Sequence, residues 1–203
     1  MTPRRDDGGA RAAIGVGASA GGVDALTQIV RGLPPELGAC VLIVLHVPAA
    51  GRSLLSAILA RNSRLPVAQA QDGEPLLAGR VLVAPPDRHL LAVDGRVQLD
   101  DGPKENGARP AIDPTLRSLA AAYGRQAIAV ILSGALADGA HGAAAVAAAG
   151  GGVIVQDPQE ASVTSMPRHA IEAVGAAATV LPVDLIAAEL VRRIAAVHED
   201  IPA

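Results

Sequence analysis

The sequence predicts an α/β fold: a single doubly wound domain with a mostly parallel sheet, helices on both faces of that sheet, and an antiparallel hairpin appended. Short apolar runs of buried-strand length alternate along the chain with runs whose apolar residues recur at helical spacing. The length of 203 residues suits one domain with a substantial core. Tyr123 is the only aromatic residue, so the core must consist of Ala, Val, Leu and Ile, which suits helices packed closely on a buried sheet.

The elements follow in order from the N-terminus. Strands are predicted where apolar runs are short and continuous, at 12–16, 40–45, 67–70, 81–84, 128–132, 153–155 and 179–181. Helices are predicted where apolar residues repeat at helical spacing or a cap is present, at about 23–33, 54–59, 113–123, 139–149, 165–174 and 184–194. Asp94-Gly95 separates two further apolar runs and indicates a two-residue hairpin turn. Residues 100–109 are rich in Asp, Gly, Pro and Asn and are predicted to form a surface loop.

Two helix starts are predicted from capping signals. Asp113-Pro114 pairs an N-cap carboxylate with proline at the first helical position. Asp184 is predicted to cap the last helix, with Leu185, Leu190 and Ile194 facing the core.

Composition and charge exclude several classes of protein. The formal net charge of -3 provides no basic field for nucleic acid, and the near absence of aromatic rings argues against single-strand binding. Cys40 is the only cysteine, lies in an apolar run and is predicted to be buried, so no disulfide forms within the chain. Residues 1–11 are polar and are expected to be disordered, with the folded domain spanning 12–198. The chain carries no signal-peptide pattern and no 18-residue apolar stretch, so we expect a cytoplasmic protein without membrane insertion.

Three polar residues follow predicted strands and are candidates for chemistry. Ser19 lies in Gly17-Ala18-Ser19-Ala20-Gly21, a small-residue turn from strand to helix that resembles a nucleophile elbow. His46 follows the second strand, and Asp138 lies a few residues after the run 128–132. Ligands of open α/β sheets gather beyond the carboxyl ends of the strands. A serine, a histidine and an aspartate at that edge are what acyl transfer requires.

Each candidate has a simpler alternative. Small residues are common at strand-to-helix turns, a histidine after a strand is often solvated, and Asp138 is suited to cap the helix that follows it. The segment 15–20 also fits a dinucleotide fingerprint, but His46 stands where that fingerprint expects an acidic residue. The five histidines show no metal-ligand spacing, so no metal site is expected.

Six ordered blocks resemble a known family. The chain resembles, from about Ile14 to Ile194, the catalytic domain of CheB-type protein-glutamate methylesterases of bacterial chemotaxis. The blocks that carry this resemblance are Ile14-Gly15-Val16-Gly17-Ala18-Ser19-Ala20-Gly21-Gly22, Val44-Leu45-His46-Val47-Pro48, Ala84-Pro85-Pro86-Asp87-Arg88-His89, Arg109-Pro110-Ala111-Ile112-Asp113, Ile131-Leu132-Ser133-Gly134-Ala135-Leu136-Ala137-Asp138-Gly139, and Gln156-Asp157 with Ser165-Met166-Pro167.

The resemblance implies a function and roles for the three candidates. Ser19 would be the nucleophile, His46 the general base and Asp138 the acid that orients it. The reaction would be hydrolysis of glutamyl methyl esters on cytoplasmic segments of chemoreceptors, releasing methanol, with deamidation of certain receptor glutamines as a second activity. No cofactor is implied. A catalytically weak receptor-docking or regulatory module of the same fold is the second hypothesis.

The chain departs from the family pattern at several positions. Ala135 and Leu136 stand where the family often has Met and Gly, and the backbone at the first of these positions is associated with the oxyanion site. A positive φ at Leu136 would be strained. Arg52, Arg109 and His89 are candidates for orienting an acidic receptor segment, although solvated surface charge is the simpler interpretation of Arg52.

Overall fold

The structure is a computed structural model that describes residues 9–47 and 53–199. The strands are β1 Ala12–Ala18, β2 Ala39–Leu45, β3 Val67–Gln69, β4 Val81–Val83, β5 His89–Val93, β6 Arg96–Asp100, β7 Ala127–Ile131, β8 Gly152–Gln156 and β9 Ala178–Leu181. The helices are α1 Gly22–Gly32, α2 Leu55–Ala60, α3 Ile112–Tyr123, α4 Ala140–Ala148, α5 Ser165–Val174 and α6 Val183–Glu199, with single 3-10 turns at Gly124–Gln126 and Gly175–Ala177.

Seven of the strands form one parallel sheet in the order β3-β4-β2-β1-β7-β8-β9. From β1 the chain passes to β2, then to the edge strand β3 and back to β4, which lies between β3 and β2. It later returns to the other side of β1 at β7 and moves outward through β8 to β9. The strand order therefore reverses between β1 and β7, and the crevice beyond their carboxyl ends is where such sheets bind ligands. Strands β5 and β6 form a separate antiparallel pair. The predicted fold class is confirmed.

Two apolar cores lie on opposite faces of the sheet because successive strand side chains alternate. One core packs α1, α2 and α6 against residues such as Ile14 and Ile43. The other packs α3, α4, α5 and the β5–β6 hairpin against residues such as Leu42 and Ile131. Cys40 is fully buried in this second core, and burial raises the pKa of its thiol to about 12.

Helix α3 lies very close to the central strand because β1 contains two glycines on that face. A Cβ at Gly15 would lie 2.5 Å from Leu116 Cδ2, and one at Gly17 would overlap Ile112. The first turn of α3 is thus held against the carboxyl end of β1. This close approach positions backbone groups of α3 near the crevice between β1 and β7.

Three sequence expectations differ from the structure in their details. Helix α3 begins at Ile112, so Asp113 lies in its first turn and is not its N-cap. Helix α6 begins at Val183, so Asp184 likewise lies in the first turn and is not the N-cap. Leu185 was expected to face the core but is 50% exposed, because the buried stripe passes through Ile186, Leu190 and Ile194.

The described fold begins at Gly9, before the predicted start at residue 12. Gly9 bridges to Leu77, and the Ala10 N–H donates to the Leu76 carbonyl at 2.8 Å. Ala10 is fully buried because this pairing draws it into the second core. The remainder of the segment expected to be disordered, residues 1–8, lies outside the described residues. Across the described ranges, no helix is both long and apolar enough to cross a bilayer.

Candidate active site

Ser19, His46 and Asp138 all lie at the carboxyl edge of the central strands, as the sequence predicted. The His46 N–H donates to the Ala18 carbonyl at 3.2 Å, which places His46 beside the end of β1. The Ser19 N–H donates to the Ser133 carbonyl at 3.0 Å, which ties Ser19 to the loop after β7. This loop continues to Asp138. The strand register therefore brings the three candidates to the point where the strand order reverses.

Ser19 occupies a turn built from small residues between β1 and α1. Gly21, the N-cap of α1, has a φ of 73°, a conformation that glycine adopts without strain. A Cβ at Gly134 would overlap Met166 and lie 2.9 Å from Ser19 Cβ. Only glycine at this position therefore lets the loop after β7 pass so close to Ser19. Among the described residues, no group hydrogen-bonds to the Ser19 hydroxyl. Ser19 and His46 are thus not hydrogen-bonded to each other in this structure, and the His46 ring bonds to Asp138.

His46 and Asp138 form a short side-chain hydrogen bond, with 2.6 Å between Nε2 and Oδ2. The His46 side chain is 19% exposed, whereas that of Asp138 is fully buried. In the neutral ring, the Nε2–H group donates a hydrogen bond to the carboxylate, so the lone pair is on Nδ1. Nδ1 is thus the ring atom that can accept a proton, and the carboxylate stabilises the imidazolium that results.

Four donors surround the Asp138 carboxylate. Oδ2 accepts from His46 and from the Ile112 N–H at 2.7 Å, and Oδ1 accepts from the Asp113 N–H at 3.0 Å and Asn106 Nδ2 at 2.8 Å. Burial is the largest single influence and by itself would raise the pKa of Asp138. The hydrogen bonds from His46, Ile112, Asp113 and Asn106 together outweigh burial and lower that pKa below its usual range. The carboxylate is therefore ionised at neutral pH.

Asp138 and Asp113 cap each other's helices. Asp138 accepts from the first N–H groups of α3, although the sequence suggested that it would cap the helix that follows it. Asp113 Oδ1 accepts from the Gly142 N–H of α4 at 2.7 Å. A carboxylate at a helix N-terminus is stabilised by the unpaired N–H groups and the helix dipole. These crossed caps fix the two helices against each other beside His46.

Sequence reasoning missed Asn106, whose amide contacts both carboxylates. Asn106-Gly107 was interpreted only as part of a surface loop. The dipeptide is a turn signal, because both residues adopt positive φ, of 51° and 76°. That signal identifies a turn but not the direction in which the turn's side chain points.

His89 is buried, and both of its ring nitrogens are hydrogen-bonded within the protein. It is 2% exposed. Its Nδ1 accepts from the Ala111 N–H at 3.2 Å, so Nε2 carries the proton and donates to the Pro103 carbonyl at 3.0 Å. His89 thus joins the loop after β6 to the residue before α3. The expectation that it orients an acidic receptor segment is wrong, because both ring nitrogens are occupied within the protein.

Arg109 is likewise occupied within the protein. Its Nε and one terminal nitrogen donate to Asp87 Oδ1 at 2.9 and 2.7 Å, and its other terminal nitrogen donates to the carbonyls of Asp101 and Gly102. The expectation that Arg109 orients an acidic receptor segment is therefore not supported by its contacts. Arg52, the third such candidate, lies outside the described residues.

Leu136 has a positive φ of 65°, the strained conformation considered from the sequence for this position, where the family often has glycine. Its side chain is 68% exposed, so burial does not compensate for the strained backbone. The Ser165 hydroxyl donates to the Leu136 carbonyl at 2.9 Å, and His169 Nδ1 lies 3.0 Å from the same oxygen. These contacts from α5 hold the loop between β7 and Asp138 in its strained conformation.

A cavity of about 560 Å³ opens on the same edge of the sheet, on the α6 side of Gly21. Its wall includes Gln156, Ser162 and the carboxylates of Asp24, Glu160 and Asp184, but none of the three candidate residues. No group of three or more metal-ligating side chains is assembled within residues 9–47 and 53–199. The candidate groups at this edge are a hydroxyl, an imidazole and a buried carboxylate.

A doubly wound sheet with a serine, a histidine and an aspartate beyond the strands where the strand order reverses is typical of a hydrolase that uses a serine nucleophile. Comparison with known proteins gives the family. Residues 14–190 match the family model described as CheB methylesterase, and the chain belongs to that family, as its six sequence blocks indicated.

Relatives and a solved structure agree with this assignment. The chain is 42% identical over 190 residues to protein-glutamate methylesterase/protein-glutamine glutaminase 2 of Anaeromyxobacter dehalogenans, covering 92% of this chain and 55% of that protein. It is 42% identical over 180 residues to protein-glutamate methylesterase/protein-glutamine glutaminase of Symbiobacterium thermophilum, covering 88% and 49%. The crystal structure of the Thermotoga maritima CheB methylesterase catalytic domain superposes with a TM-score of 0.84 at 38% identity, covering 90% of this chain and 98% of that one. The chain spans about half the length of the two named enzymes.

Proposed function

We propose that this protein is a serine hydrolase that removes methyl groups from glutamyl methyl esters of chemoreceptors and releases methanol. The observation that carries the proposal is the 2.6 Å hydrogen bond between His46 and the buried, ionised Asp138, beside the strand end that bears Ser19. The names of the two relatives also support deamidation of receptor glutamines as a second activity. The substrates would be cytoplasmic segments of methylated receptors, and the domain whose described fold begins at Gly9 would be the catalytic domain, acting in the cytoplasm.

In the proposed reaction, Ser19 Oγ attacks the ester carbonyl carbon while His46 Nδ1 takes the hydroxyl proton. Asp138 holds the ring through Nε2 and stabilises the positive charge that develops on it. The imidazolium then gives its proton to the departing methoxide, which leaves as methanol. Water, deprotonated by the same nitrogen, hydrolyses the acyl-enzyme and restores Ser19. With glutamine the leaving group is ammonia, and the other steps are the same.

The oxyanion of the tetrahedral intermediate requires preorganised N–H donors. The loop that contains Ala135 and Leu136 supplies candidates, because their backbone N–H groups donate to no acceptor among the described residues, and both residues are exposed. The strained φ of Leu136 helps to set the direction of these N–H groups. A side-chain change from the family pattern at these positions leaves a backbone donor in place.

The decisive experiment measures methanol released from a chemoreceptor fragment carrying radiolabelled methyl esters. Ser19→Ala is expected to reduce turnover by about 10⁴-fold or more, because the hydroxyl is the attacking group. Ser56→Ala, on α2, is the matched control and should retain full activity. A serine-directed fluorophosphonate should label Ser19, located by mass spectrometry. A loss of less than about tenfold in Ser19→Ala would reject the assignment and favour the docking module.

A further inference from the structure

Asn106 lies between the two buried carboxylates that cap α3 and α4. Its Nδ2 is 2.8 Å from Asp138 Oδ1 and 2.9 Å from Asp113 Oδ2. The side chains of these aspartates are 0% and 3% exposed, respectively. An amide nitrogen carries two hydrogens, so both are used, one for each carboxylate. Asn106 is thus a neutral double donor placed between two acceptors that would otherwise face each other.

The turn that carries Asn106 accounts for its backbone but not for its side chain. Glu105 and Ala108 exchange backbone hydrogen bonds of 3.1 and 2.9 Å, and the two residues between them have positive φ, as in a type I′ turn. Glycine satisfies the same backbone requirement without strain. The turn alone therefore does not require an amide that reaches the carboxylates.

The contacts of Asp138 show what the amide contributes. Oδ2 faces His46 and the Ile112 N–H, while Oδ1 is held by the Asp113 N–H and Asn106. The orientation of the carboxylate, and so the direction of Oδ2 toward the ring, depends on donors at Oδ1. Without Asn106, Oδ1 has a single donor, and the Asp113 carboxylate is no longer separated from it by a hydrogen-bonded amide.

We propose that Asn106 is a positioning residue of the hydrolytic reaction, acting through Asp138 to hold His46 in the tautomer and direction that activate Ser19. The inference rests on the proposed function for its kinetic consequence but not for its structural one. Asn106 touches neither substrate nor the reacting atoms. Its contribution is to keep the buried carboxylate aimed at the imidazole.

The test uses Asn106→Gly, which keeps the positive φ and removes only the amide. Arg117→Gln is the control, because Arg117 pairs with Glu105 at 2.8 Å and anchors the same turn. This ion pair does not involve the carboxylate of Asp113 or of Asp138. We expect Asn106→Gly to lower kcat for glutamyl methyl ester hydrolysis by about 10- to 100-fold, since hydrogen bonds to charged groups are of that strength, with KM changed less than about twofold. Arg117→Gln should change kcat by less than about twofold, because exposed ion pairs contribute little.

A second measurement reports on positioning without catalysis. In ¹⁵N-labelled protein, the His46 Nε2–H signal should exchange with water faster in Asn106→Gly than in the wild type and remain unchanged in Arg117→Gln. If the wild type hydrolyses no glutamyl methyl ester, the proposed function fails, and this exchange measurement still tests the inference.

Three results would overturn the inference. The first is a kcat for Asn106→Gly within about twofold of wild type. The second is an equal loss in Arg117→Gln, which would show that only the turn matters. The third is unchanged exchange of the His46 proton. If Asn106→Gly does not fold, Asn106→Asp, which keeps the size and tolerates positive φ, should lower kcat at least as much by placing a third carboxylate there.

Discussion

Replacing Asp138 by asparagine tests the proposed reaction most directly, because the change keeps the size of the side chain. Four donors point at the carboxylate, and an amide offers one oxygen to accept them. If the amide oxygen takes the Oδ1 side, its NH₂ faces His46 Nε2 and the Ile112 N–H. The ring must then carry its proton on Nδ1, and no lone pair remains for the Ser19 proton. In the opposite arrangement, the Asp113 N–H and Asn106 lose their acceptor.

Both arrangements carry a definite cost. At least one buried N–H is left without an acceptor, and a charged acceptor is lost, so the free energy of unfolding should fall by about 2 to 3 kcal/mol. Loss of the stabilised imidazolium and of the correct tautomer should reduce kcat by about 10⁴-fold, as expected of a serine triad. This corresponds to about 5 kcal/mol of transition-state stabilisation. The effect on rate therefore exceeds the effect on stability.

The assay combines methanol release with urea unfolding followed by far-UV circular dichroism. Asp113→Asn is the matched control, because Asp113 has the same kind of helix-capping contacts but none with His46. It should lose a similar amount of stability while kcat falls by less than about tenfold. Equal losses of kcat in the two variants, or a loss below about tenfold in folded Asp138→Asn, would refute the reasoning.

Two further predictions concern stability. Hydrogen bonding holds the native pKa of Asp138 below its usual range, so its contribution is complete above the unfolded value of about 3.9 and is lost as pH falls through the lowered native pKa. Urea unfolding across this acid range should therefore show a smaller decrease for Asp138→Asn than for wild type, and equal slopes would contradict the assignment. Leu136→Gly should raise the free energy of unfolding by up to about 1 kcal/mol, because it relieves a positive φ at an exposed position, and a decrease of that size would show that the loop is unstrained.

The fold could be predicted because its signals are local. Each strand of the main sheet is a short apolar run, and the parallel arrangement follows from alternation with helices. The strand ends also predicted that Ser19, His46 and Asp138 would lie at the same edge of the sheet, and of these side chains His46 and Asp138 are hydrogen-bonded to each other. Helix phase was less certain: Leu185 and Ile186 are adjacent apolar residues, and only packing against the sheet selects Ile186 for the core. The family was recognised from several ordered blocks, and the comparisons confirmed it.

The finer structure of the site depends on contacts between distant parts of the chain. Asp138 caps α3, whose first residues lie 25 and 26 positions earlier, so no pattern around Asp138 indicates this role. The direction of the Asn106 side chain depends on how its turn packs on the two helices. His89 resembles a surface ligand in sequence but is buried, because the loop after β6 folds over it. Tertiary packing determined each of these outcomes.

The crossed helix caps mean that Ser19 and Asp138 are under different constraints in evolution. A descendant of this chain that no longer needed to cleave esters could lose the Ser19 hydroxyl without loss of stability, since that oxygen makes no hydrogen bond among the described residues. It could not discard the Asp138 carboxylate so freely, because two helices are joined through it. An aspartate retained at this position in a relative would therefore be weak evidence that the relative is still an active enzyme. A retained serine would be stronger evidence.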